Sequence, residues 1–421
     1  MQEPAASQSI ALAPCDIAIV GGGLVGCSLF LALKESGLRV SLIEARVAAN
    51  TVPARDARHL ALNACSIDTL IALGVSLDLQ SASVISRIRI NRAGEFGRVD
   101  LTAAEHGLAH FGQLIAADQL GTALQLAVAK ACATSALMQR IQPARLVSLF
   151  IDESEAKLGL ALGENDASDA DKSLQTLHAQ LVIGADGSHS AVRTLTKLGA
   201  QSKIRDYQQS ALVFNFSSDQ NIDGLALERF TDTGPLAVLP IPNRRLGAVW
   251  TLPNDQALAL QANPSQLINA FQRALGSTYG RVSQLSKSAI WPLHLNQCQP
   301  STAHRTALIG NAAQTIHPLG AQGFNLGLRD AVQMAKYLAQ LGDPADLAKR
   351  AAMPDFFADF AALRATDREN TIAFSDGLLS ATSSKTGLSK ALRGFGLALL
   401  ASNPLLQRDI IRFGVGFARA G

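Results

Sequence analysis

The chain runs to 421 residues, of which 48% are hydrophobic and 17% charged, a composition that excludes a dominantly disordered protein. Its length predicts two or three domains. The 37 basic residues nearly balance the 34 acidic ones, and a net charge of +3 excludes the dense basic face of a nucleic-acid binder.

The first 14 residues, Met1 to Pro14, lack the basic start and apolar run of a secretion signal. Nowhere do about 18 apolar residues run together, as a membrane-crossing helix requires. Cys15, Cys27, Cys65, Cys132 and Cys298 are scattered, with no pair at metal or redox spacing. No metal site is expected, and the thiols are expected to be reduced, in a cytoplasmic compartment.

Ile17 to Val20 is wholly apolar, the pattern of a strand buried on both faces of a parallel sheet. Gly21, Gly22 and Gly23 break it. A helix is predicted from Leu24 to Ser36, closed by Gly37, and a second strand from Arg39 to Glu44 completes a βαβ unit. Asp118 is placed to cap a helix reaching Ala131, with Leu120, Leu124, Ala127 and Val128 on one face. The polar stretch Asp152 to Lys172 predicts an exposed hairpin or loop. Leu181 to Ile183 reads as another buried strand and leads into Gly184-Ala185-Asp186-Gly187. From Tyr207 to Trp250, short apolar runs alternate with turn residues such as Gly234-Pro235, which predicts an antiparallel sheet in a second domain. Ala307 to Ile309 is one more buried strand, ending in Gly310-Asn311. Beyond Leu326 the pattern is mostly helical, and no internal repeat is present. The expected fold class is α/β with an α+β second domain: a Rossmann-like unit, an antiparallel-sheet unit and a helical C-terminal segment.

Three places carry chemistry. Gly21-x-Gly23-x-x-Gly26 lies between strand and helix, where the glycines serve a tight turn, close approach of a pyrophosphate and helix-on-strand packing. The helix start offers unpaired N–H groups to the phosphates. Glu44, 18 residues beyond Gly26, is placed to accept from a ribose diol; its charge repels a 2′-phosphate, which points to FAD or NAD rather than NADP. The second place is Gly184 to Ser188, with Ser190 and Arg193 downstream. The third is Gly310-Asn311-Ala312-Ala313, followed by His317-Pro318-Leu319-Gly320-Ala321-Gln322-Gly323-Phe324-Asn325-Leu326-Gly327 and Asp330. Its glycine-rich loop runs into a helix and can present backbone donors to the electron-rich end of a flavin ring. No second complete dinucleotide fingerprint occurs, so one held cofactor and one transient reductant are expected. No Ser/His/Asp or Cys/His arrangement for nucleophilic catalysis is present.

Through these motifs the chain resembles the single-component FAD-dependent aromatic hydroxylases, and within them the ubiquinone-biosynthesis hydroxylases. The resemblance spans nearly all of the chain from Cys15 onward. The stretch Glu228-Arg229-Phe230-Thr231-x-x-Gly234-Pro235-Leu236-Ala237-x-Leu239-Pro240 is most similar to the 2-octaprenyl-6-methoxyphenol hydroxylase branch. Tyr207-x-Gln209, Trp250, Trp291-Pro292-Leu293 and Phe374 to Leu378 fit the same group. The resemblance implies a discontinuous FAD-binding domain (14–75, 110–200 and 300–345), a substrate domain (76–109 and 201–299) and a C-terminal helical segment (346–421). By motif, Gly21, Gly23, Gly26 and Glu44 would hold the ADP half of FAD, and Arg58 would lie near the flavin. Asp186 would face the pyrophosphate or the reducing nucleotide. Gly310, Asn311, Gln322, Gly323 and Asn325 would complete the cofactor site, and Pro318, Leu319 and Gly320 would line the reactive face.

Two positions depart from the wider pattern. Asn311 stands where an aspartate is usual and can accept the same hydrogen bond without charge. Ala321 stands where a glycine is usual; a positive φ there would cost strain.

The implied reaction is hydroxylation of a polyprenyl phenol with NAD(P)H and dioxygen, through a hydroperoxide on the reduced flavin. His317 is read either as catalytic or as fixing its loop by hydrogen bonding. Arg229 is read either as orienting a substrate oxygen or as pairing with an acid. Tyr207 and Gln209 either face the substrate or hold satisfied sheet positions, and Trp250 and Trp291 read as core. The apolar, basic stretch from Leu388 to Ala418 predicts a peripheral helix on the inner face of the cytoplasmic membrane, where other quinone-biosynthesis proteins would be partners; the competing reading is a helix that caps the core of the first domain. Two further functions share the scaffold: a flavin enzyme acting on another small aromatic, and a non-catalytic lipid-binding or assembly protein.

Overall fold

The structure, a computed structural model, describes residues 12–47, 59–163, 173–220, 222–277, 279–341 and 343–383, together with 403, 407 and 411. Arg58 lies outside the described residues, as does the C-terminal stretch from 388 to 418 apart from Asn403, Gln407 and Ile411. The side chains of Phe374, Ser375, Asp376 and Leu378 lie outside them too.

The strand Cys15–Val20 is buried along its whole length. Ile17 and Ile19 face one hydrophobic cluster, and Cys15, Ala18 and Val20 face another. It pairs in parallel with Val40–Ile43 on one side and with Ser173–Gly184 on the other; Met138–Ile141 and Thr306–Leu308 extend the sheet outward, also in parallel. The helices Leu24–Ala32, Ala117–Thr134 and Gln322–Ala339 cover the first face through Leu29, Phe30, Leu120, Leu124, Leu328 and Met334.

Local chemistry moves three expected boundaries. The first helix ends at Ala32, short of Ser36, because the Ser36 hydroxyl donates to the Leu33 carbonyl at 2.7 Å. The helix Ala117–Thr134 starts directly out of the strand Gly112–Ala116, so Asp118 is in its first turn rather than at the cap. The polar stretch after Asp152 does form a hairpin, Ala156–Leu162 against Ser173–Gly184, but it is not an exposed one. Ala156, Leu158 and Leu160 alternate inward and cover the second face of the parallel sheet. Arg305, only 1% exposed, pins this layer by donating to the Asp152, Glu153 and Gln180 carbonyls.

A second, nine-stranded sheet is antiparallel except where Leu225–Phe230 runs parallel to Arg87–Arg92. Its other strands include Lys203–Ser218, Pro235–Ile241, Arg245–Pro253 and Ala289–Gln297. The helices Asn254–Ala262 and Pro264–Leu275 cover one face, where Trp250, Phe214 and Phe216 pack around Phe271. Trp291 does not join a core: on the opposite face it is 44% exposed. A small third sheet, His59–Asn63, Gly112–Ala116 and Ser83–Ile85, bridges the two large ones. The long helix Ala358–Ser383 contacts the helix Gln322–Ala339. Among the described residues no helix is long and apolar enough to cross a membrane.

Candidate active site

Gly21 turns with φ +105°, and a Cβ there would meet Ala185 O at 2.6 Å. Its N–H donates to Ile43 O at 2.8 Å, which ties the turn to the second strand. Gly26 is the tightest position: its Cβ would lie 1.8 Å from Gly21 O. Gly23 is the opposite case, since a Cβ there meets nothing within 4 Å. It is the N-cap of Leu24–Ala32 and carries no side-chain cap, so the helix start presents its amides to open space. That arrangement fits an incoming pyrophosphate.

Glu44 accepts from Gly22 N at 2.7 Å and from Arg46 N at 2.8 Å. Each carboxylate oxygen keeps a lone pair for a ribose hydroxyl. A Cβ on Gly22 would come within 2.8 Å of the Glu44 side chain, so the middle glycine of the triplet is needed as well. Gln125 donates to Gly22 O at 2.9 Å and accepts from Arg140 at 3.2 Å, so a glutamine and an arginine that sequence reasoning missed buttress this end of the site. Cys27 is buried beneath the turn, and burial pushes its thiol up to about 12, so it is inert.

The second turn lies directly against the first. Ala185 N donates to Val20 O at 2.8 Å. One oxygen of Asp186 accepts from Ala191 N and Val192 N, at 2.7 and 3.2 Å. Its other oxygen is buried with no partner among the described residues, an acceptor left for a ligand hydroxyl or for water.

The third turn closes on both. Ile309 N donates to Gly184 O at 2.9 Å. Gly310, with φ +57°, packs on Val25 of the first helix, and Gly327 approaches the same valine. Arg193, beyond the second turn, reaches Ala312 O in the third at 2.8 Å. Asp330 accepts from Gly310 N at 3.0 Å and Gln314 Nε2 at 2.7 Å, and it pairs with Arg364 at 2.7 Å. Burial alone would raise the Asp330 carboxyl, but Arg368, Arg364 and its hydrogen bonds hold it below the ordinary carboxylate range.

The residues of the glycine-rich loop divide by role. Pro318, Gly320 and Asn311 are exposed toward solvent, whereas Leu319 is buried. His317 Nδ1 accepts from Leu319 N at 3.2 Å, and its ring meets Tyr207 edge-on at 5.3 Å; both contacts fix the loop. Gly320 and Ala321 are both left-handed, with φ +69° and +53°. Gln322 Nε2 reaches back to Gly320 O at 3.2 Å, and Gly323 is open. Asn325 spends its amide inside the protein, on Ala61 O, Ala321 O and Asn63 N. It therefore holds the loop to the strand His59–Asn63.

Arg229 is elsewhere. It donates to Ala274 O at 2.8 Å and Asn91 Oδ1 at 3.1 Å, on the helix-covered face of the second sheet. This bracing role corrects both expectations for it, a substrate contact and an acid pair. Gln209 donates to Thr233 O at 2.8 Å, a satisfied sheet position. No cluster suited to a metal ion occurs among the described residues.

The pattern of a known FAD-binding domain family matches residues 14–345. The chain is 31% identical over 419 residues to a ubiquinone hydroxylase, UbiL, of Rhodospirillum rubrum, covering 96% of this chain and 90% of that one. It is 32% identical over 323 residues to the 3-demethoxyubiquinol 3-hydroxylase of Escherichia coli, covering 75% and 78% of the two chains. Among solved structures, p-nitrophenol 4-monooxygenase from Pseudomonas putida superposes with a TM-score of 0.73 at 16% identity, covering 96% of this chain and 98% of that one. At that identity the superposition speaks for the fold.

Proposed function

The chain belongs to the FAD-binding-domain family of flavin monooxygenases, and from that premise we propose that it hydroxylates the aromatic ring of a polyprenylated phenol in ubiquinone biosynthesis, with NAD(P)H and dioxygen as co-substrates. The observation that carries the proposal is the meeting of three separate glycine turns, at Gly21, Ala185-Asp186 and Gly310, around an uncapped helix start.

FAD, when bound, supplies hydride acceptance from the nicotinamide and activation of dioxygen for transfer of one oxygen atom to an electron-rich ring. The remaining work falls to the chain. Gly21, Gly23 and Gly26 would admit the pyrophosphate to the amides of Leu24–Ala32, Glu44 would take the ribose, and the unpartnered oxygen of Asp186 would accept from the cofactor or its bound water. Asn311, Gln322 and Gly323 would complete the flavin side, with Asn325 setting the loop that carries them. Pro318 and Gly320 would face the reacting ring, and Leu319, turned inward, anchors them. His317 acts as a positioning residue through Leu319 N. The substrate, once seated, would have to keep water from the activated oxygen. The functional division would follow 14–75, 110–200 and 300–345 for the cofactor, and 76–109 and 201–299 for the substrate.

A polyprenyl phenol dissolves in bilayers, so we also infer a peripheral membrane encounter through the basic, apolar stretch 388–418, where other quinone-pathway proteins would meet this one. Mass spectrometry of quinone intermediates in cells lacking the protein tests the assignment. Accumulation of a precursor one oxygen short is expected; normal quinone with no such precursor would overturn it.

A further inference from the structure

The two faces of the second sheet differ. Leu212, Phe214, Leu227, Leu236 and Trp250 lie beneath helices. The other face carries Ile90, Glu228, Ala237, Val249 and Val213 in one cross-strand row, placed there by the pairings Glu228–Ile90, Glu228–Ala237, Ala237–Val249 and Val213–Val249. Every residue of that row is only partly buried, and Val213, Ala237 and Val249 join none of the hydrophobic clusters. At one end, Ala226 and Ile241 on this face pack with Ala61 and Leu114 of the bridging sheet, with Phe111 beside it and with Ile411. Ala61 is the residue whose carbonyl accepts from Asn325 of the flavin loop. This face and that loop therefore share one strand, His59–Asn63.

Within this apolar row, between Ile90 and Ala237, stands one carboxyl group. Glu228 makes no hydrogen bond or ion pair among the described residues. Among the described residues, the charged groups on its neighbouring strands are occupied or distant: Arg92 pairs with Glu95 at 2.8 Å and Asp232 at 2.9 Å, and Arg245 lies at the far end of its strand. Burial, with no cation among the described residues to offset it, pushes the Glu228 carboxyl up to about 7. A group of that kind exchanges its proton near neutrality, and leaving it unsatisfied is costly.

We infer that Glu228 is the polar anchor for the ring hydroxyl of the substrate, set in a wall that is otherwise shaped for an apolar prenylated ring. This rests on the reading of the substrate as a prenylated phenol. As carboxylate, Glu228 accepts the phenol O–H and draws electron density onto the ring; as acid, it donates to the oxygen.

The test uses the FAD-loaded protein and two probes, 2-prenylphenol with one isoprene unit and its O-methyl ether, with binding read from the perturbed flavin spectrum. The wild type is expected to prefer the phenol about tenfold or more, as a hydrogen bond to a charged, desolvated group supplies. Glu228→Leu is expected to lose that preference while still binding the ether. Glu228→Gln keeps the shape and should retain only a fraction of it. FAD content serves as the folding control for both variants. A phenol preference undiminished in Glu228→Leu and Glu228→Gln would overturn the assignment and leave the proposed function standing. If the wild type takes up neither probe, the substrate class itself is wrong and the anchor falls with it.

Discussion

At the scale of single residues, backbone geometry separates positions that look alike in sequence. Gly23 and Gly26 share a motif, yet an added Cβ meets open space at one and Gly21 O at the other. Gly23→Ala should therefore fold with unchanged melting of the apoprotein but lose FAD affinity, whereas Gly26→Ala should disturb folding itself. Equal loss of stability in both would contradict this, as read by thermal unfolding and flavin content. Ala321 bears a left-handed backbone that favours glycine, and Ala321→Gly should stabilise the protein by about 0.5–1 kcal/mol after the entropy cost of glycine; a lowered melting temperature would refute the strain. Glu228 titrates near 7 in the fold against an ordinary 4.5. The unfolded chain ionises first, so this group lowers stability as pH rises between those values, and the loss stays in force above them. Glu228→Gln should thus raise the melting temperature at about pH 8 and leave it unmoved at about pH 4. Sequence alone revealed the three motif glycines, Glu44 and the departure at Ala321. It concealed Gly22, Gln125 and Arg140, because nothing local in the chain says that Glu44 or Gln125 folds back onto the triplet.

Among the elements, buried charge joins what hydrophobic patterning cannot. The helix Ala358–Ser383 reaches the third glycine turn through Arg364 and Asp330, 34 residues apart. Asp330→Asn removes the charge that Arg364 and Arg368 face and replaces one of its two acceptor oxygens by an N–H donor, so that either the arginine side or the Gly310–Gln314 side loses its acceptor. Although Arg364 keeps Asp367, this should cost about 3–5 kcal/mol and weaken FAD retention. Because the folded carboxyl is held low, this contribution is present above the ordinary carboxylate range and is lost only as pH falls below it. An Asp330→Asn protein that melts like the wild type at neutral pH would contradict the assignment. The strands were legible where a run was wholly apolar, as from Ile17 to Val20, or where short apolar runs alternated with turn residues, as from Tyr207 to Trp250. Pairing partners were not: Leu225–Phe230 runs parallel to Arg87–Arg92 from far upstream, and side-chain periodicity carries no information about such a neighbour. The hairpin after Asp152 looked exposed because its polar residues outnumber its apolar ones, although every second position is buried.

Across the whole molecule, two sheets are held together by a small bridging sheet, and the reacting parts meet where chain segments far apart in sequence converge. That the segments belong together could be inferred from residue types, since glycine turns running into helices repeat the same solution for binding an anion. The bond from Asn325 to the strand His59–Asn63, and the sheet face bearing Glu228, arise only from tertiary packing. The central claim is oxygen transfer from dioxygen to a prenylated phenol. It is tested most directly by turning over 2-prenylphenol with the FAD-loaded protein and NAD(P)H under ¹⁸O₂. The product should carry a new ring hydroxyl containing a single heavy oxygen; a product labelled only from water, or NAD(P)H consumption that never yields a hydroxylated ring, would contradict it.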